Sequence, residues 1–111
     1  MSGPHLLLPA PCADRLLGDY RRSAAREAME AAGGEVELLH AVEHVAGRVA
    51  SSDREGRVVD FRVFVSAADS EVLVSDAGID ALGIRIETFA PGRWRFADET
   101  HIRDTEAPQY W

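Results

Sequence analysis

A single cysteine, Cys12, is all the thiol chemistry that 111 residues carry. One thiol closes no intramolecular disulfide and builds no multi-cysteine metal centre, so a reducing compartment, or a particle assembled in one, is the expected home. With no neighbouring base, Cys12 reads as a free thiol at a core or interface position. Also missing is any run near the roughly 20 apolar residues of a membrane span. The segment HLLLPAPCA has a short apolar core, but no basic residue precedes it and prolines interrupt it, so no secretory signal is expected. A basic surplus is lacking too. The formal net charge is −7, with a pI near 5.0, the wrong sign for a protein that grips nucleic acid through its phosphates. No G-x-G-x-x-G or phosphate-loop pattern occurs, and DAGID, residues 76–80, lacks the ligand spacing of a calcium loop.

What is present is an ordinary globular composition, 46% hydrophobic and 28% charged, in a length that suits one domain. Residues 1–12, with three prolines and Leu6, Leu7 and Leu8, are expected to be an extended N-terminal arm, neither helix interior nor central strand. Residues 13–111 then form a single α+β domain. Its helix is predicted over about 14–32, where Leu17, Tyr20, Ala24, Ala28 and Ala31 recur at helical spacing, Asp14 stands at the N-terminal end and Gly33-Gly34 ends it. Arg21, Arg22 and Arg26 on that helix read as a solvated face paired with Asp19, Glu27 and Glu30.

A β-region is predicted over about 35–105. EVELLHAV is a strand candidate; AGRVASSDREGRVVDFRVFV reads as two strands around a polar turn at Ser52–Gly56, with Val59, Phe61, Val63 and Val65 alternating inward. SEVLVS is a shorter candidate. The clearest hairpin is LGIRIETFAPGRWRFAD, with Ala90-Pro91-Gly92-Arg93 in type II turn positions. Trp94 and Phe96 are read as core packing rather than a base-stacking platform, since acid flanks them. The expected architecture is an N-terminal helix followed by a small antiparallel β-sheet or partly closed barrel.

One motif invites chemistry. HAVEH places His40, Glu43 and His44 in the H-x-x-E-H spacing of the inverted zinc metallopeptidases. Histidines four apart share a helical face roughly 6 Å apart, whereas an ideal strand separates them by about 13 Å. Leu38, Val42, Val45 and Val49 also fit a helix, but the flanking glycines favour a strand. A downstream glutamate on a second helix is lacking, and His5 and His101 accompany no nucleophile in a recognisable setting. The chain is therefore expected to bind no metal or other cofactor and to carry no catalytic residue.

LGIRIETFAPGRWRFADETHIRD presents a strand, a tight glycine turn, a basic–aromatic strand and a polar strand; DRLLGDYRRSAAREAMEAAGGEVELL supplies a helix leading into a first strand. In this layout, over residues 13–105, the chain resembles the head–tail joining or stopper proteins of tailed bacteriophages. That resemblance implies a non-enzymatic virion protein, a homo-oligomeric ring in the head-to-tail connector, assembled in the host cytoplasm and contacting neighbouring connector or tail proteins. DNA would pass through the ring without sequence-specific binding; no membrane and no small-molecule substrate are implied. The shorter final strand departs from the pattern. The alternative is a small bacterial α+β protein-binding or regulatory module, dimeric and cytoplasmic. Under either reading the candidate interface comprises Leu6, Leu7 and Leu8, then Glu71, Val72 and Leu73 in the long 66–83 connection, and Tyr110 and Trp111. That connection reads equally well as an edge strand followed by a short helical turn.

Overall fold

A computed structural model describes residues 3–31 and 34–111. The elements run β1 (His5–Pro9), α1 (Ala10–Leu17), β2 (Ala25–Ala31), β3 (Gly34–Gly47), β4 (Val59–Ser66), β5 (Leu73–Val74), α2 (Asp76–Ala81), β6 (Ile84–Phe89), β7 (Gly92–Phe96) and β8 (Arg103–Asp104). They form a five-stranded sheet in the order β2-β3-β4-β1-β5 and a three-stranded sheet in the order β6-β7-β8. With 42% of residues in strands and 14% in helices, the fold is mostly β. The expected α+β arrangement is overturned: the chain enters through a strand, not a helix, and no closed barrel forms among the described residues.

The expected arm is an interior strand. β1 pairs in parallel with β4 and antiparallel with β5. Its prolines do not prevent this, because Pro4 precedes the strand and Pro9 closes it, so neither removes a donor from the middle of the ladder. Pro9 is also the N-cap of α1, and Pro11 falls in the first turn, where its missing N–H costs nothing. The helix predicted over 14–32 is replaced by this eight-residue helix, stopped at Gly18, whose φ of +62° suits glycine. A turn follows, closed by Ala24 N–H donating to the Tyr20 carbonyl at 3.1 Å, and the alanine-rich remainder becomes β2. Pairing along all seven residues of β2 with β3 overrides the helical propensity of AREAMEA. The expected stop at Gly33-Gly34 lies partly outside the described residues, since Gly33 is not described; Gly34 begins β3.

β4 organises the core. Val59, Phe61, Val63 and Val65 all point to one face and are buried, as their alternation predicts. Val63 and Val65 pack with Leu8, Cys12, Ala13, Tyr20 and Ala41 under α1, while Val59 and Phe61 pack with Leu82 toward α2. Each of the valine, leucine and phenylalanine side chains contributes about 1.5–3 kcal/mol by leaving water. The predicted strand just before Ser52 is instead the end of β3, and residues 48–58 form a loop. The 66–83 connection is the edge strand β5 and the short helix α2, whose N-cap Ser75 Oγ accepts from Gly78 N–H at 3.0 Å. The hairpin connection is the two residues Ala90 and Pro91, joined by a cis peptide bond, in place of the expected type II turn.

Candidate functional site

The face of the five-stranded sheet opposite α1 gathers three of the chain's four histidines, His5, His40 and His44. Register places His5, Arg62 and His44 side by side on β1, β4 and β3, and Leu7, Phe64 and His40 in the adjoining row. Phe64 lies between two imidazoles, with ring centroids 5.2 Å from His5 and 4.5 Å from His40, both near-parallel. His5 is itself buried, its Nδ1 2.9 Å from the Gly3 carbonyl and its backbone N–H donating to Ser75 Oγ. These three rings cover the sheet where no helix does.

A bulge creates the rest of the site. Between the pairs His40↔Phe64 and His44↔Arg62, the residues Ala41, Val42 and Glu43 of β3 stand opposite Val63 alone. Ala41 stays in the core, and Val42 is exposed at 65%. The two histidines therefore lie beside β4 residues only two apart, roughly 7 Å along that strand, not the 13 Å expected of a regular strand. Bulges re-aim side chains in this way. His44 Nδ1 donates to Asp60 Oδ2 at 2.8 Å; an ionised carboxylate can only accept, so the hydrogen is on Nδ1 and Nε2 is the acceptor of the neutral ring. Ser23, Ala25, His40, His44 and Arg62 help to line a groove of about 220 Å³ here. Among the described residues, the guanidinium of Arg62 alone of the twelve makes no ion pair, hydrogen bond or ring contact.

HAVEH is thus a strand whose bulge brings its histidines together, but no three His, Cys, Asp or Glu side chains among the described residues are grouped to hold a metal ion. Cys12 is buried under α1, and burial pushes its thiol pKa up, away from nucleophilic reactivity.

A second constellation ties the loop 48–58 to the small sheet. Arg103 grips Asp53 through two hydrogen bonds of 2.7 Å and Glu99 through two of 2.7 and 3.1 Å. Arg54 holds Asp98 at 2.8 and 3.2 Å and stacks 4.1 Å above the ring of Phe96. Trp94 meets Phe96 edge-on at 5.1 Å. Hydrogen bonds from Arg103 hold both Asp53 and Glu99 well below the ordinary carboxylate range, Glu99 at about 2. A cleft of about 640 Å³ runs along this loop, but its arginines, Arg48 and Arg54, are already paired with Glu55 and Asp98. This network fastens structure rather than presenting free chemistry. The other expected pairing is partly redrawn: Arg21 meets Asp14 at 2.6 Å, Arg22 meets Asp19 at 3.2 Å and Arg26 meets Glu37 at 3.1 Å, none of them on a common helix.

The candidate interface residues separate. Leu8 is buried in the core; Leu6 and Leu7 are half-buried in β1. Trp111 packs on the first core cluster, its backbone N–H donating to the Ser70 carbonyl at 2.8 Å with Arg15 over its ring. Glu71 is half-buried, whereas Val72, Leu73 and Tyr110 are exposed. The sequence reading missed Phe89, 85% exposed at the hairpin tip, and Ile86 on the same strand; position beside the Pro91-Gly92 turn was the available signal. It also missed Arg62 and Asp60, which alternation alone marks only as outward-facing. Comparison with family models, curated proteins and solved structures finds no match to the chain.

Proposed function

We propose that the chain is a structural protein that assembles with copies of itself, a subunit of a phage head-to-tail connector ring rather than an enzyme. The observation that carries this reading is Phe89. A phenylalanine 85% exposed at the tip of a hairpin leaves a large apolar surface in water, and aromatic knobs of this kind anchor protein interfaces. Ile86, on the same edge strand β6, extends the patch. The bulge between Ile86 and Thr88 bends that edge, so contact through side chains is favoured over strand addition. The order β6-β7-β8 keeps a strand, a tight connection, a basic–aromatic strand and a short polar strand, the half of the connector layout that rests on the hairpin. The half that rested on an entry helix is gone. A net charge of −7 suits a channel through which DNA moves without being held. The virion, assembled in the host cytoplasm, is the corresponding location, with neighbouring connector or tail proteins as partners and no cofactor required.

The second reading, a small bacterial regulatory module binding another protein as a dimer, is favoured by the groove beside Arg62, which a purely structural subunit does not need. Native mass spectrometry of the wild type and of Phe89→Ser separates the two. The ring reading expects assemblies larger than a dimer that the substitution dissolves while the monomer's melting temperature holds. A stable dimer, or assembly indifferent to Phe89, would overturn it.

A further inference from the structure

We propose that the groove beside the β3 bulge is a binding site for one phosphate group of a small phosphomonoester, held by Arg62 and His44. This stands apart from the assembly reading and rests on different residues. Arg62 extends from the exposed side of β4 with its guanidinium uncommitted, and a guanidinium fork takes two phosphate oxygens at once. His44 is its direct cross-strand neighbour, a pairing that puts β-carbons about 4.5–5.5 Å apart. Asp60 fixes the imidazole so that Nε2 is the atom left over. As a neutral ring, Nε2 accepts from a protonated phosphate oxygen; as a cation, it donates to a bare one. Phosphate presents both forms near neutral pH, so the pair matches in either state.

The third oxygen is what selects phosphate over carboxylate, since a carboxylate spends both of its oxygens on the guanidinium fork. Ser23 stands on the rim with its hydroxyl only loosely engaged, 3.4 Å from the Tyr20 carbonyl, and supplies a further donor. His40 forms a wall through its ring stacked on Phe64. The volume, about 220 Å³, holds the phosphate and a small part of its ester. Asp60 opposes the ligand's charge and keeps binding modest. A single site of this kind gives no track along a duplex, so it does not conflict with the acidic surface.

Inorganic phosphate, phenyl phosphate and acetate, titrated separately at fixed pH and ionic strength while the imidazole resonances are followed by NMR, test the site. Both phosphates should shift His44 saturably, with half-saturation at about 1–10 mM, and leave the exposed His101 unmoved. Arg62→Gln should weaken binding about tenfold or more, and Arg62→Lys by less, because it keeps charge but loses the fork. His44→Gln, followed through the amide resonances around the groove, should weaken it as well and remains informative if an Arg62 variant misfolds. Shifts that rise in a straight line without saturating would overturn the proposal. So would binding unchanged in Arg62→Gln or His44→Gln, or acetate that half-saturates at the same concentration as phosphate. Binding of inorganic phosphate with exclusion of phenyl phosphate would overturn the ester as ligand.

Discussion

Arg103 and Asp53, far apart in sequence, meet through two parallel hydrogen bonds of 2.7 Å each. Their contact, with Glu99 on the other side of the same guanidinium, clamps the loop 48–58 onto the three-stranded sheet. Stability should follow the charge on these acids. Both carboxylates have folded-state pKa values below their unfolded ones, so their contribution is full above about pH 4–5 and is lost as pH falls toward the folded value, about 2 for Glu99. Arg103→Gln should lower the melting temperature by several degrees at pH 7, and the gap from wild type should close steadily between about pH 5 and pH 2. Thermal melts across that range check it. A gap independent of pH would show that Arg103 acts through packing on Trp94 and Phe96 alone.

Phe61 is wedged between two glycines. A β-carbon at Gly78 would stand 2.8 Å from Phe61 Cε1 and from Val74 Cγ1, and one at Gly47 would stand 2.8 Å from Phe61 Cε2. Gly78→Ala gains about 1 kcal/mol of helix propensity against an overpacking cost of about 1–3 kcal/mol. A net loss of stability is expected, and Gly78→Ala combined with Phe61→Leu should recover part of it. Denaturant unfolding of the single and double variants measures both.

Tyr20 is fully buried, and its hydroxyl has no hydrogen-bond partner among the described residues. Burial pushes its pKa up. Removing an unsatisfied buried hydroxyl relieves a desolvation cost of about 1–3 kcal/mol, so Tyr20→Phe should leave stability unchanged or raise it by up to about 1 kcal/mol. A loss larger than about 1 kcal/mol in urea would mean that the hydroxyl is satisfied after all.

The two termini should behave differently on truncation. Removing residues 1–10 deletes the strand between β4 and β5, and the product should lose its cooperative melting transition. Removing residues 108–111 strips Trp111 from one side of the core and should lower the melting temperature while keeping the fold. Circular dichroism of the two truncations reads this directly. A folded N-terminal truncation would show that β5 can pair with β4 unaided.

Strands whose apolar residues alternate were legible in the sequence. Val59 to Val65 stand where their period placed them, because Val59, Phe61, Val63 and Val65 are buried while Asp60 and Arg62 face water; the Ile84–Phe96 hairpin also forms where it was read, although from Arg85 to Phe89 its first strand is exposed on both faces. The first 31 residues misled for two reasons. Leu17, Tyr20, Ala24, Ala28 and Ala31 keep a helical spacing past Gly18, yet pairing with β3 decides the later part. Leu6–Leu8, bracketed by prolines, look like an arm until β4 supplies a long-range partner that no local pattern reveals. The site was half legible. His40 and His44 drew attention as a motif, but their approach depends on a bulge, and a bulge is a mismatch of lengths between two strands that neither shows alone. Arg62 carries no mark in the sequence; it matters because its neighbours leave it unpaired.

The parallel union of β1 with β4 has a kinetic cost. The leucine strand leaves the ribosome before the rest of its sheet, but the residues that complete its ladder, Arg62 to Ser66, follow only after the entire β2–β3 hairpin. Contacts so distant along the chain close slowly, and until they close Leu6, Leu7 and Leu8 are an unpaired apolar edge, the kind of surface on which nascent chains aggregate or engage chaperones. The hairpin β2–β3 and the hairpin β6–β7 can form early from local contacts; β1 must wait for the middle of the protein. Its late insertion between β4 and β5 is then the step that commits the five-stranded sheet.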